Sequence, residues 1–265
     1  MQVFPSIRLI PRLHRNIEVN FNITDTQYSI QVARTEDEVD EALRMRFEVF
    51  NLELKEGLDS SYLTFKDEDK FDKQCDHLII RDNSTGNVIG TYRMQTWEMA
   101  KRGVGFYSDG EYCLYMLGKK ILHNSLELGR ACILKEYRNT RVLFLLWRGI
   151  ANYSAQAHKR YLFGCCSITS QDSAEGNALY ADLLAKGHIH KRINLEPRND
   201  YKLEGNEVLP GEPPEMPPLM KMYLRYGAKI VGKPAIDREF KTIDYFVLLD
   251  LHKLSTESFR MFLGE

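Results

Sequence analysis

The stretch Leu126-Glu-Leu-Gly-Arg-Ala-Cys-Ile133 decides the fold, because it is an apolar run interrupted by only two charges, Glu127 and Arg130. A short apolar run of this kind predicts a buried strand. The segment 137–140 then opens a predicted helix that continues to Tyr153, and a second buried strand is predicted at 161–167. A strand, a helix and a strand in this order are typical of the centre of an α/β sheet.

Toward the N-terminus, alternating residues predict a strand at 28–32. Thr35 and Glu38 form a capping box in front of apolar residues at helical spacing, which predicts a helix from Glu36 to Glu53. A polar segment at 56–73 is predicted to be a loop. Two further strands, at 77–80 and 88–94, are predicted on either side of a turn-rich connection.

Toward the C-terminus, the pattern predicts a helix from Ser173 to Lys186 that Gly187 closes. A loop at 196–218 holds most of the prolines. A short helix, a strand at 245–250 and a last helix follow. We therefore predict a mixed central sheet flanked by helices, in one domain over residues 28–251, with a basic amphipathic arm at 1–27 and a C-terminal helix at 252–265.

Composition excludes several classes of protein. Of the 265 residues, 36 are Lys or Arg and 37 are Asp or Glu, so the net charge of −1 disfavours a nucleic-acid binder. No apolar run approaches the ~18 residues of a membrane span. Five cysteines without a Cys-x-x-Cys pair favour reduced thiols and a cytoplasmic location. The arginines of the arm alternate with apolar residues, which permits peripheral contact with a membrane surface.

Charge is distributed unevenly along the chain. Residues 36–72 hold thirteen acidic and five basic side chains, whereas residues 135–160 hold six basic and one acidic. Such asymmetry indicates either two faces with different partners or one face that pairs with the other.

Several charged residues lie on the first predicted helix, the loop after it and the predicted strands. They are Arg46, Asp67, Asp69, Asp72, Arg93, Glu127 and Arg130, with Phe50 on the same helix face as Arg46. Three arginines cannot share one side of a sheet unpaired, because they would repel each other and lose hydration. We therefore predict that Asp69 and Asp72 pair with the three arginines in a buried polar cluster beneath a binding site.

Other catalytic motifs are missing from the sequence. It contains no Gly-x-Ser-x-Gly, no Walker loop and no Gly-x-Gly-x-x-Gly. The pair His188 and His190 has no cysteine or carboxylate in phase nearby, so no metal site is predicted.

Several runs in order along the chain resemble a known family. Arg46-Phe-Glu-Val-Phe50, Lys66-Asp-Glu-Asp-Lys-Phe-Asp72, Val88-Ile-Gly-Thr-Tyr-Arg93 and Leu126-Glu-Leu-Gly-Arg130 resemble the acyl-homoserine lactone synthase pattern. They are still more similar to the bacterial acyl carrier protein-dependent N-acyltransferases that make ornithine and glycine lipids. Runs such as Pro217-Pro-Leu-Met-Lys-Met-Tyr-Leu-Arg-Tyr-Gly227 resemble only that lipid-forming branch. The resemblance covers residues 28–251 and implies the GNAT acyltransferase fold.

The resemblance implies transfer of a long-chain or 3-hydroxylated fatty acyl group to the amine of an amino acid of the ornithine or glycine type. An amine with a pKa of about 10 costs ~4 kcal/mol to hold neutral at pH 7, so a base is needed. The resemblance implies Glu127 for that role, and Arg130 lies beside it on a strand whose amides would meet the oxyanion. By analogy with GNAT enzymes, Tyr180 is expected to protonate the leaving thiolate. The expected substrate-binding residues are Arg46, Phe50, Asp69, Asp72 and Arg93.

GNAT enzymes bind the donor phosphate on a turn before a helix, which here corresponds to Arg138, Asn139, Thr140, Arg141 and Val142. This turn has no glycine, so it suits the single phosphodiester of a carrier-protein phosphopantetheine better than the pyrophosphate of coenzyme A. The basic segment would then face an acidic acyl carrier protein. No tightly bound cofactor is expected, since the acyl-phosphopantetheine thioester is a co-substrate.

Three other functions stay open on the sequence. They are a quorum-signal synthase that uses S-adenosylmethionine, an acetyl-coenzyme A N-acetyltransferase, and a non-catalytic carrier or lipid binder. The downstream runs disfavour the first and the missing glycines disfavour the second. The sequence leaves the acceptor and the acyl chain length undecided.

Overall fold

The computed structural model describes residues 19–205 and 213–263, without the side chains of Phe259 and Leu263. Most of the predicted arm, residues 1–18, and part of the proline-rich loop therefore lie outside the described residues. The sheet begins at Asn22, inside the segment predicted as an arm, because a three-residue strand there pairs with the next strand.

The described residues form one nine-stranded sheet. Its strands are β1 Asn22–Thr24, β2 Tyr28–Val32, β3 Asp76–Asp82, β4 Val88–Thr96, β5 Ser125–Ile133, β6 Tyr161–Ile168, β7 Lys229–Ile230, β8 Ala235–Asp237 and β9 Thr242–Asp250. The spatial order is β1-β2-β3-β4-β5-β6-β9-β7, and β8 also pairs with β9. The β5–β6 pair is parallel and the other pairs are antiparallel, so the sheet is mixed, as predicted.

Eight α-helices flank the sheet in the described residues. They are α1 Glu36–Phe47, α2 Ser61–Thr64, α3 Trp97–Arg102, α4 Lys119–His123, α5 Thr140–Gln156, α6 Ser173–Ala185, α7 Pro218–Arg225 and α8 Thr256–Leu263. The capping box of Thr35 and Glu38 is present at α1, which confirms that prediction. The predicted continuation to Glu53 is helical, but Glu48–Glu53 is a π-helix. Short α2, α3 and α4 were not predicted.

Three apolar clusters pack against the described sheet, one on one face and two on the other. On one face α5, α7 and α8 pack together, with Trp147 stacked on Phe262 and in edge contact with Tyr223. On the other face Phe163 stacks on Phe246. The predicted C-terminal helix is thus part of the main core.

The central strands β5 and β6 diverge, and this divergence makes the site. They pair only from Ser125 with Tyr161 to Glu127 with Phe163, although both strands continue for several residues. At the point of divergence the backbones are so close that a Cβ on Gly164 would stand 2.1 Å from the Leu128 carbonyl oxygen. Beyond it the facing edges of the two strands are free of each other.

The β4–β5 pairing is irregular beside the divergence. Its register shifts between Thr91 and Arg93, and Arg130 on β5 has φ +50°. A bulge of this kind redirects side chains and is common next to active sites. No helix in the part of the chain that the structure describes has the length and hydropathy to cross a membrane. Peripheral membrane contact by residues 1–27 stays a prediction.

Candidate active site

A cavity of about 760 Å³ opens where β5 and β6 diverge. This volume is within the range of small-molecule sites. Its apolar part is formed by Val49, Phe50, Leu54, Leu143, Leu146, Ile168, Leu219 and Phe240. Its polar part is formed by Glu56, Arg93, Gln95, Glu127, Arg130, Cys165 and Asp244. One space therefore offers both an apolar surface for a chain and a set of charged groups.

Glu127 lies in the polar part and is the last residue of β5 that pairs with β6. Its side chain is 4% exposed, and its two carboxylate oxygens accept backbone N–H groups from Tyr107 at 3.0 Å and Ser108 at 2.8 Å. Burial raises the pKa of Glu127, and the hydrogen bonds from Ser108 and Tyr107 oppose that rise. The two amides and the Ser108 hydroxyl hold the carboxylate at the cavity, where Glu127 can accept a proton.

The predicted cluster of arginines and aspartates is confirmed. Arg46 contacts Asp72 at 2.7 Å, and Arg93 contacts Asp69 at 2.6 Å and Asp72 at 3.1 Å. Arg130 contacts Asp69 at 3.2 Å. Asp67, which belongs to the same set of charged residues but was not predicted to pair, bridges Arg46 at 2.7 Å and Arg130 at 3.3 Å.

Charge compensation dominates the electrostatics of this cluster. Burial alone would raise the pKa of Asp72, but Arg46 and Arg93 hold it well below its ordinary value. His77 packs against the same carboxylate, and its burial lowers its pKa to about 4, so the imidazole is neutral. Three guanidinium groups thus face three carboxylates, and the charge of the cluster is balanced.

Only part of the cluster reaches the cavity. Arg93 and Arg130 line it, whereas Arg46, Asp69 and Asp72 are not among its lining residues. Arg130 stacks over Phe240, with 4.2 Å from the guanidinium carbon to the ring centroid, and Phe240 is in edge contact with Phe50. Phe50 and Arg93 therefore stay predicted substrate contacts. For Arg46, Asp69 and Asp72 the structure shows a role behind the cavity, in holding the other two arginines.

The predicted donor turn is only partly brought to the cavity. Arg138, Asn139 and Thr140 line its edge. Arg141 instead extends to the β1–β2 connection, where it contacts Asp25 at 3.0 Å. Val142 is fully buried, and its N–H donates to the Asn139 side chain, which caps α5. The structure therefore does not bring Arg141 and Val142 to the cavity: the Val142 N–H is bound by the Asn139 cap, and Asp25 holds the Arg141 guanidinium.

Arg138 also has an internal partner. Its guanidinium makes two hydrogen bonds, at 2.7 and 2.6 Å, to the carboxylate of Glu53 on the π-helix, across the edge of the cavity. The basic and acidic segments of the sequence are thus partly paired with each other, which was one of the two readings of the charge asymmetry.

Comparison with known proteins shows the family to which the chain belongs. Residues 45–148 match the family model described as acetyltransferase (GNAT) domain. An L-ornithine N(alpha)-acyltransferase of Agrobacterium fabrum is 33% identical over 89% of this chain and 85% of its own length. One of Brucella abortus is 31% identical over 86% of this chain and 85% of its own length. The chain belongs to the L-ornithine N(alpha)-acyltransferase family. It is an acyltransferase.

The fold of this acyltransferase is also found among solved structures. The crystal structure of the AHL synthase LasI superposes with a TM-score of 0.51, at 13% identity, over 91% of this chain and 96% of that chain. At this identity the likeness concerns the fold alone, and it agrees with the predicted GNAT architecture.

Tyr180 of the acyltransferase does not reach the cavity. It lies half-buried on α6, packs against the main core and is not among the cavity-lining residues. The prediction that Tyr180 protonates the leaving thiolate therefore has no geometric support. The analogy with GNAT enzymes that suggested it does not determine which side of α6 faces the cavity.

Other residues of the acyltransferase site were missed from the sequence. Tyr107 and Ser108, which hold Glu127, lie in a region of short 3-10 turns that no periodic pattern indicates. Glu111 and Asp244 are buried carboxylates next to Cys165. Asp244 interrupts the apolar strand β9, which is the same signal that singled out Glu127, and could have been found by it.

Proposed function

We propose that this acyltransferase moves a long-chain or 3-hydroxylated fatty acyl group from the phosphopantetheine of acyl carrier protein to the α-amine of ornithine, in ornithine lipid synthesis. The observation that carries the proposal is the single cavity in which a buried carboxylate at the strand divergence adjoins an apolar surface. The names of the relatives support ornithine as acceptor.

The acceptor is oriented by the charged part of the cavity. Arg93 lines it, and its Nη2 has no hydrogen-bond partner among the described residues, so it can bind the acceptor's α-carboxylate. Glu127 then takes a proton from the α-ammonium. Its raised pKa makes it a stronger base than an exposed carboxylate.

The neutral amine attacks the thioester carbonyl. The new C–N bond forms and the C–S bond breaks. The proton that the nitrogen loses on attack passes to the departing thiolate, and Glu127 then releases its own proton to solvent. The edge of β5 beyond Glu127 is not paired with β6, and its residues Gly129, Arg130 and Ala131 line the cavity, so backbone N–H groups there can stabilise the oxyanion. The leaving thiol has an ordinary pKa of about 8.5, so it can depart as a thiolate without a dedicated acid.

The donor enters at the start of α5. The first amides of a helix have no intrahelical partner and carry positive potential, which suits one phosphodiester. Arg138 adds a charge at this edge, and a bound phosphate would compete with Glu53 for its guanidinium. The basic residues around 135–160 offer an acidic carrier protein a complementary surface.

The experiment is an acceptor and donor panel with the purified full chain. Acyl-loaded carrier protein and acyl-coenzyme A are each combined with ornithine, glycine, lysine, serine and S-adenosylmethionine, and products are identified by mass spectrometry. N-acyl-ornithine from the carrier-protein donor is the expected product. A preference for coenzyme A would contradict the donor, an acyl-homoserine lactone would contradict the acceptor, and no product with any pair would contradict catalysis.

A further inference from the structure

Beside the catalytic carboxylate lies a second buried acidic group that the proposed reaction has not used. Glu111 is 2% exposed and Asp244 is 3% exposed, and their oxygens and the Cys165 sulfur all lie within 4.8 Å of one another. The Oε1 atom of Glu111 and the Oδ1 atom of Asp244 have no hydrogen-bond partner among the described residues. Buried polar atoms of this kind are rare and costly, which points to a missing partner.

A cation would suit this position. Neither carboxylate forms an ion pair with any described residue, and Asp237 acts on both as a like charge. Burial raises the pKa of both groups, and a hydrogen bond between them raises the pKa of Glu111 and lowers that of Asp244, as expected when Glu111 is the donor. A positively charged ligand would relieve both the repulsion and the unpartnered oxygens.

The position of the pair fits the acceptor. The registers β5–β6 and β6–β9 place Glu127, Cys165 and Asp244 on one face of the sheet, across three neighbouring strands. Cys165 and Asp244 line the cavity that holds Glu127. Ser108 links them, because its N–H donates to Glu127 and its hydroxyl lies 3.9 Å from the Cys165 sulfur, which in turn lies 3.3 Å from Glu111.

We propose that Asp244, which lines the cavity, binds the side-chain ammonium of a dibasic α-amino acid with Glu111 directly behind it, while Glu127 deprotonates its α-amine. This inference rests on the proposed function. Ser108 and the Cys165 sulfur lie between Glu127 and the pair, and we expect a side chain of three or four methylenes to bridge this gap. An ammonium has three N–H donors for the unpartnered oxygens.

The test is a binding measurement that needs no turnover. L-ornithine and its uncharged-side-chain analogue L-norvaline are each titrated calorimetrically into the wild-type protein and into the variant Glu111→Gln/Asp244→Asn. We expect wild type to bind ornithine at least about 30-fold more tightly than norvaline, the size expected for a desolvated charge pair. The double variant should bind the two amino acids within about threefold of each other.

Asp237→Asn is the matched control. Asp237 is also buried, but its two oxygens already accept hydrogen bonds from Phe240 N–H and Tyr107 Oη, so this variant should keep the ornithine preference. Equal or absent binding of the two amino acids to wild type contradicts the inference, and so does a folded double variant that keeps the preference. Loss of the preference on adding a chelator would show a metal site instead. A preference seen in a protein that acylates nothing would uphold the inference and reject the proposed function.

Discussion

Two groups of buried carboxylates near the same cavity differ in charge balance. Asp67, Asp69 and Asp72 are matched by three arginines at distances of 2.6 to 3.3 Å. Glu111 and Asp244 have no cation among the described residues. The balanced group joins α1 and the following loop to the sheet, so it is a structural element. The unbalanced group lowers stability on its own and gains from a cationic ligand, which is what a binding site requires.

Breaking the balanced cluster should give the largest effect on stability. Asp72→Asn leaves Arg46 and Arg93 partly unpaired in a buried setting, which should cost about 3–5 kcal/mol in the free energy of unfolding and reduce activity. Urea unfolding and turnover are measured together. Asp59→Asn, which breaks an exposed pair with Lys241, is the control and should change stability by less than about 1 kcal/mol. Similar losses of unfolding free energy in Asp72→Asn and Asp59→Asn would show that the cluster stabilises the fold no more than an exposed ion pair does.

His77 should make the stability of the balanced cluster depend on pH. Its pKa is lowered to about 4 in the folded protein, so between its unfolded value near 6.5 and about 4 only the unfolded state binds the proton. Stability should therefore be fully present above pH 6.5 and fall by about 2–3 kcal/mol as the pH falls to 4. Unfolding of His77→Gln, measured across this range, should lack that slope, with exposed His252→Gln as control. A slope that survives His77→Gln would assign the proton to another group.

Substitutions where the donor is proposed to enter should have a smaller effect, and this effect should differ between Arg138 and Arg141. Arg138 lines the cavity and Arg141 does not, so Arg138→Glu should raise the KM for acyl carrier protein about tenfold, an effect of about 1.4 kcal/mol. Arg141→Glu should raise it less than about threefold. Added salt should raise the wild-type KM for acyl carrier protein, because screening weakens the attraction between the basic surface and the acidic carrier. Equal effects of the two substitutions would remove Arg138 from donor docking.

Tyr180→Phe should have the smallest effect. Because Tyr180 lies away from the cavity, turnover should fall by less than about threefold, whereas loss of a positioned acid costs 10²-fold or more. A fall of that larger size, measured on the same donor and acceptor, would restore the role that the analogy with GNAT enzymes suggested.

Local patterns predicted much of the fold. The apolar run around Glu127, the capping box at Thr35 and the helical spacing after Thr140 each act over a few neighbouring residues, so they can be read directly. The arginine–aspartate cluster could be predicted because buried arginines lose hydration and repel one another unless carboxylates pair with them. By contrast, β1 is three residues long, and the π-helix at Glu48–Glu53 has no distinct pattern in the sequence.

Long-range pairing explains what the sequence could not show. Asp244 faces Cys165 only because β9 lies beside β6 in a particular register, and Glu111 joins them from a loop far away in sequence. The partner of Arg141 is Asp25, more than a hundred residues earlier, so its distance from the cavity could not be foreseen.

The most direct test of the account is the turnover of Glu127→Gln. The amide oxygen can still accept one of the two backbone N–H groups, so the variant should stay folded, at a cost of about 1–3 kcal/mol. We expect kcat for ornithine acylation to fall 10²- to 10⁴-fold across the pH range, while exposed Glu136→Gln stays close to wild type. A loss of less than threefold at every pH would contradict the assignment of Glu127 as the base.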